Sequence, residues 1–182
     1  MLKRIYKCLV VIVLLFGVVF SSYVMYDREY SQAAVYDRVN KIYAELWRKT
    51  GQNQDKLPLR IVEKDTINAY NDGSEIVIYT GLINSTRSWD EIALVLGHEI
   101  AHGTLDHLHM MQTPGYLNTA LDVAVLEGNA DKMGAVYMMK AGYDICKGRE
   151  MFKNWLINNG DYQGGNHPNY AYRYSELDIN CE

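Results

Sequence analysis

Gly97-His98-Glu99-Ile100-Ala101-His102 is the stretch that most limits what the chain can become. His98 and His102 are four residues apart, so on a helix their imidazoles lie one turn apart on one face, able to grip a single metal ion. Glu99 lies beside them, where a carboxylate can take a proton from a water that the metal has acidified. The run before the motif, Trp89 to Leu96, is read as helix. It has apolar recurrences at Ile92, Val95 and Leu96 and no Pro or Gly inside. Ser88 is a plausible N-cap, and Glu91 three residues on completes a capping box.

Two histidines need a further ligand, and the same helix cannot supply it. Continued to about His109, the helix would carry His107 about 140° round from His102, and His109 about 10 Å further along the axis. Both are read as solvated surface histidines. Leu105 and Leu108 stand where the pattern HExxHxxGxxH requires Gly and His. A second long helix is expected from about Leu117 to Ala141, with Gly142 as its stop, and it carries Glu127 and Asp131 four apart on one face. Alone, the two acids would read as solvent-facing. Beside two histidines in need of a partner, Glu127 completes a His-His-Glu set with one position left open, the pattern of a catalytic zinc. Asp131, one turn on, is placed to accept a hydrogen bond from a liganding imidazole and fix its tautomer.

The rest of the chain frames this centre. Lys3, Arg4 and Lys7 precede an uncharged run of about 19 residues from Cys8 to Tyr26, near the length that spans a bilayer. Residues 1–26 are therefore read as a signal anchor or a cleaved signal peptide, with residues 27–182 as a domain outside the cytoplasmic membrane. Cys146 and Cys181 could pair in an oxidising compartment or remain free thiols, and neither has metal-ligand spacing. The net charge of −4 and the absence of a basic stripe exclude a nucleic-acid binder.

Tyr30 to Lys49 reads as a core-packing amphipathic helix. Leu59–Val62, Ile67–Tyr70 and Glu75–Thr80 read as strands, with Asp72-Gly73 as a hairpin turn. A free strand edge facing the metal could pair with an extended peptide, or the sheet could merely support the helix. Ile145–Ile157 reads as one helix. Asn158–Asn166 is a Gly- and Asn-rich loop that could be a lid or a connector. His167-Pro168 opens a final helix with Pro in its first turn, and Arg173 follows six residues after His167. Near a metal, a His and an Arg could stabilise a developing oxyanion; otherwise they are a helix cap and a surface residue.

In this order the motifs resemble the forty-eighth family of metallopeptidases, gluzincins that include the heat-shock protease HtpX and the CAAX prenyl protease. The residues carrying the resemblance are Asn68-Ala69-Tyr70, Thr80-Gly81-Leu82, His98-Glu99-Ile100-Ala101-His102, Glu127 with Ala130-Asp131, Ala141-Gly142-Tyr143, and His167-Pro168 with Arg173. The resemblance implies one zinc held by His98, His102 and Glu127, and Glu99 as general base. It also implies Asp131 in support of a ligand, and His167 and Arg173 facing the site to bind substrate or stabilise the transition state. The strand ending near Thr80 would bind substrate in extended form. Nothing between Met110 and Ala141 is apolar enough to span a membrane, so the chain looks like the compact exported members, some of which act in envelope protein quality control.

The expectation is an α+β fold: a mainly helical zinc-protease domain with a small sheet, behind an N-terminal membrane segment. It would hydrolyse peptide bonds in a protein or peptide substrate. The alternative is a latent zinc-binding or chaperone-like protein at the membrane, and the intact Glu99 favours the enzyme.

Overall fold

Short β-branched runs and long capped helical runs divide the chain into a small sheet and a set of packed helices. The computed structural model describes residues 31–53, 55–115, 120–160, 167–178 and 181. Met1–Val39 and Asn40–Glu182 are separate compact units, and of the first only the helical residues 31–39 are described. The expected membrane segment, residues 1–26, and most of the Gly- and Asn-rich loop, residues 161–166, lie outside the described residues. Among the described residues no helix is long and apolar enough to cross a membrane.

The fold is mainly helical with one three-stranded sheet. Helix α1 covers residues 31–47 and buries Ile42, Tyr43 and Leu46 in the second unit. Strands β1 (Leu59–Val62), β2 (Ala69–Asn71) and β3 (Ile76–Tyr79) follow, in the spatial order β1-β3-β2. β3 pairs parallel with β1 and antiparallel with β2. Ile76, Val77 and Ile78 are fully buried, as befits a central strand with both edges paired and both faces covered. The hairpin between β2 and β3 is held by Asp72, whose Oδ1 accepts from the backbone N–H of Ser74 at 2.8 Å and of Glu75 at 2.9 Å. β3 runs directly into a short helix, α2 (Thr80–Ser85), which takes Thr80 out of the expected strand.

Helix α3 (Trp89–Thr104) is the centre of the second unit, buried continuously from Glu91 to His102. Ser88 caps it, its Oγ accepting from Glu91 N–H at 3.2 Å. The Glu91 carboxylate reaches one residue beyond the usual capping box and accepts from Arg87 N–H at 2.6 Å. α3 ends at Thr104 rather than near His109, because Asp106 takes the left-handed conformation (φ 57°) and a separate helix α4 begins (His107–Gln112).

Helix α5 (Ala120–Lys140) crosses α3 at Gly97 and Gly134. A Cβ on Gly134 would lie 2.6 Å from His98 N, and one on Gly97 would lie 2.7 Å from Gly134 O, so the two backbones touch. Gly142 (φ +90°) closes α5 with Gly142 N–H donating to Met139 O and Tyr143 N–H to Met138 O, both at 3.0 Å, a Schellman end.

The single helix expected over Ile145–Ile157 is two, α6 (Ile145–Gly148) and α7 (Glu150–Asn159), broken at Arg149. α8 (Tyr170–Glu176) is capped by Asn169, so Pro168 precedes the cap rather than sitting in the first turn. Cys146 and Cys181 form a disulfide, which ties the segment after α8 to α6. Arg149 joins the same two regions, pairing with Asp178 at 2.8 Å.

Candidate metal centre

His98 and His102 come from α3, and Glu127 comes from α5 through the close glycine crossing. His98 Nε2 lies 3.0 Å from His102 Nε2 and 3.3 Å from Glu127 Oε2, and His102 Nε2 lies 3.5 Å from Glu127 Oε1. Zinc bonds of about 2.0–2.1 Å in a tetrahedron put ligand atoms about 3.3 Å apart, so the three groups are spaced as one ion's ligands. Glu127 is 3% exposed, and its Oε2 is buried without a hydrogen bond of proper geometry, facing His167 Nδ1, which likewise lacks one. Crowded, buried lone pairs without donors are what a cation would satisfy. His98, Glu127 and His167 also offer one ligand atom each within 4.8 Å of one another.

The electrostatics follow from burial and from these contacts. Burial opposes charge on Glu127, but the His102, His167 and His98 imidazoles outweigh it and hold the carboxyl well below its ordinary range. Burial would lower the His98 imidazole, but Asp131 and Glu127 push it up to about 10. Burial would raise Asp131, but Arg173 and His98 keep it ionised far below the usual carboxylate value.

Behind His98, Asp131 Oδ1 lies 2.8 Å from Nδ1. Asp131 is in turn clamped by Arg173, with Nε donating to Oδ2 at 2.8 Å and Nη2 to Oδ1 at 2.5 Å. Arg173 is buried, stacked over the Phe152 ring at 4.3 Å. It was expected to face substrate; although it reaches the cavity wall, its guanidinium is committed to Asp131. His167 is different: its side chain is 40% exposed at the rim, with its ring 5.6 Å from that of His98.

His107 is not a surface histidine. It is 2% exposed, its Nδ1 lies 3.1 Å from His102 Nδ1, and burial together with His102 pushes its imidazole down to about 4. The helical-wheel reading failed because the chain leaves the α3 spiral at Asp106. His109 is exposed, as expected.

Glu99 is buried in the wall of a cavity of about 580 Å³ beside His98 and Glu127. The apolar side of that cavity is formed by Leu82, Leu94, Val95, Met151 and Trp155. Ile67, Asn68 and Ala69 form another side. The strand expected to receive substrate, β3, has both edges paired with β1 and β2 and cannot do so; among the described residues the unpaired edge beside the cavity belongs to β2. Asn71 is a site residue the sequence did not single out. Its Nδ2 donates to the backbone carbonyl of Glu99 at 2.9 Å, fastening the edge strand to the metal-motif helix. Gly134 is another, legible only in that it lies three residues after Asp131 and so on the same helical face.

A histidine pair on one helix, a glutamate on a helix crossing it, and a buried carboxylate facing an open cavity make a candidate centre of the metallopeptidase class. Residues 33–128, more than half of the chain, match the family described as Peptidase family M48, and the chain belongs to that family. The matched stretch holds His98, Glu99, His102 and Glu127 and ends before Asp131, His167 and Arg173. The mitochondrial metalloendopeptidase OMA1 of Arabidopsis thaliana is 29% identical over 109 residues, 46% of this chain and 22% of that protein. The mitochondrial metalloendopeptidase OMA1 of Bos taurus is 36% identical over 50 residues, 27% of this chain and 10% of that protein. The chain therefore spans less than a quarter of the length of these curated relatives.

Proposed function

We propose that the chain is a zinc-dependent metalloendopeptidase, with His98, His102 and Glu127 holding the metal and Glu99 as general base. The spacing of His98 Nε2, His102 Nε2 and the two Glu127 carboxylate oxygens at 3.0–3.5 Å, with the buried Oε2 crowded by ring nitrogens and without a hydrogen bond of proper geometry, carries this reading. Zinc bound there would supply Lewis acidity, acidifying a water and polarising a carbonyl. Glu99 takes the proton of the attacking water and passes it to the leaving amine. Asp131 fixes the His98 tautomer, Arg173 holds Asp131, and the part-exposed His167 is the group at the rim that can touch substrate.

An extended peptide fits along β2. Asn68 O is already taken by Tyr79 N–H, so by strand alternation the backbone groups of Ile67 and Ala69 face away from β3 and are open to pairing. The Cys146–Cys181 disulfide supports a domain in an oxidising compartment, in keeping with residues 1–26 as an export or anchoring segment and a role in envelope protein quality control or processing.

The test is zinc content and casein cleavage by the full chain. Wild type should hold one zinc and cleave. Glu99→Gln should keep the zinc and lose activity by about 10²–10⁴-fold, while Glu127→Ala should lose the zinc. Cleavage by Glu99→Gln at the wild-type rate overturns the mechanism, and full zinc occupancy in Glu127→Ala at nanomolar free zinc overturns that ligand.

A further inference from the structure

Each candidate metal histidine has its second ring nitrogen turned into the protein, and the partner of His102 is not a carboxylate or a carbonyl but another imidazole. His107 reaches it only because α3 stops. Asp106 is the one non-glycine residue with positive φ among the described residues, a conformation that L side chains rarely adopt. On an uninterrupted helix His107 would point about 140° away from His102. With the break at Leu105 and Asp106, it is buried beneath His102 instead, with the two rings 5.1 Å apart at 75°.

The Nδ1 atoms of His102 and His107 are 3.1 Å apart, and a hydrogen bond there needs one donor and one acceptor. His102 Nε2 faces His98 Nε2 and Glu127 Oε1. To offer a lone pair on that side, a neutral His102 must carry its proton on Nδ1. We propose that His107 is the positioning residue of His102: its Nδ1 accepts the Nδ1–H of His102, selects the tautomer whose Nε2 can bind metal, and fixes the ring's rotation. This rests on the metal-site reading above.

The measurement is zinc affinity of the full chain by chelator competition, with cobalt absorbance as a probe of ligand geometry and thermal melting of the metal-free protein as a folding control. His107→Leu fills the space without an acceptor. His107→Asn puts Oδ1 close to where Nδ1 lies. His107→Gln places its acceptor one bond further out.

His107→Leu and His107→Gln should each weaken zinc binding about 10–100-fold and alter the cobalt spectrum. His107→Asn should remain within a few-fold of wild type. Should His107→Leu fail to fold, the contrast between Asn and Gln carries the test. Wild-type zinc affinity in a folded His107→Leu or His107→Gln overturns the positioning role and leaves the metal site standing. So does an equal loss in a folded His107→Asn. A wild-type chain that binds no zinc overturns the metal reading and this inference with it.

Discussion

His98 and His102 sit one turn apart on one helix, but the regions behind them are built differently. Behind His98 lies a buried charged chain assembled from distant sequence: Asp131 of α5, Arg173 of α8, and the Phe152 ring of α7 under the guanidinium. Behind His102 lies a single neutral imidazole, His107, five residues away across a left-handed break. The charged region both orients its histidine and, without metal, holds it protonated. The neutral region can orient its histidine but sets no counter-charge beside it. One histidine thus depends on the tertiary fold as a whole and the other on the local path of the chain.

Removing one partner from each region should separate them most. Asp131→Asn leaves Arg173 buried without a counter-charge and should cost about 3–5 kcal/mol in the metal-free protein. His107→Leu, which removes no charge, should cost far less in urea unfolding of the same chelated protein. Equal losses would erase the distinction.

The pH profile sharpens it. Asp131 has a lowered folded-state pKa, so its stabilisation is complete above its ordinary value of 3.8 and is lost as pH falls through the lower, folded value. His98 has a raised one, so its stabilisation is complete below 6.5 and is lost as pH rises through about 10. His107, pushed down to about 4, takes stability away as pH falls from 6.5 towards 4, because there the unfolded chain binds a proton that the folded chain does not. Metal-free wild type should therefore be most stable near pH 6.5, and Asp131→Asn should flatten the alkaline flank set by His98 and the acid flank below about 4.

The disulfide belongs to the charged region, because it ties down the segment that follows the Arg173 helix. Closing a loop with a sequence separation of 35 residues restricts the unfolded chain by about 3–4 kcal/mol. The double variant Cys146→Ser, Cys181→Ser should lose about that much in thermal or urea unfolding. It should also weaken zinc binding more than it disturbs the His102–His107 contact, which α4 supplies by itself. A reduced protein with unchanged zinc affinity would show that Arg173 docks without the covalent tie.

What the sequence made legible divides along the same line. α3 could be read because Ser88, Glu91, the apolar spacing and the histidine pair all ask for one helix over the same residues. Glu127 and Asp131 could be read because four-residue spacing survives on any straight helix. His107 could not, since wheel arithmetic assumes an unbroken spiral and one left-handed Asp106 ends it. Arg173 reads by chemistry alone as a surface cation and by resemblance as a residue facing the site, and its pairing with Asp131 depends on the fold that buries it there. The edge position of β2 depends on strand order, which no local pattern encodes, although the continuous apolar run Ile76-Val77-Ile78 is the signature of a central strand and marks β3 as a poor edge.

The smallest effects test the crossing that joins the charged region to α3. On α5, Gly134 and Gly128 are both helical, and on propensity alone alanine should help at either by about 1 kcal/mol. Their surroundings decide otherwise. A Cβ at Gly134 meets backbone, His98 N at 2.6 Å and Gly97 C at 2.7 Å, and backbone cannot swing aside as a side chain can. Gly134→Ala should therefore separate the helices, cost about 1–3 kcal/mol net, and carry Glu127 and Asp131 away from His98, lowering zinc affinity. Nothing lies within 4 Å of a Cβ at Gly128, next to Glu127, so Gly128→Ala should gain about 0.5–1 kcal/mol and leave zinc affinity unchanged. Opposite signs from the same substitution six residues apart would locate the dependence of His98 on α5 in the crossing itself. A neutral Gly134→Ala would mean that α5 can be displaced without cost and that the clamp on Asp131 by Arg173 alone keeps His98 in place.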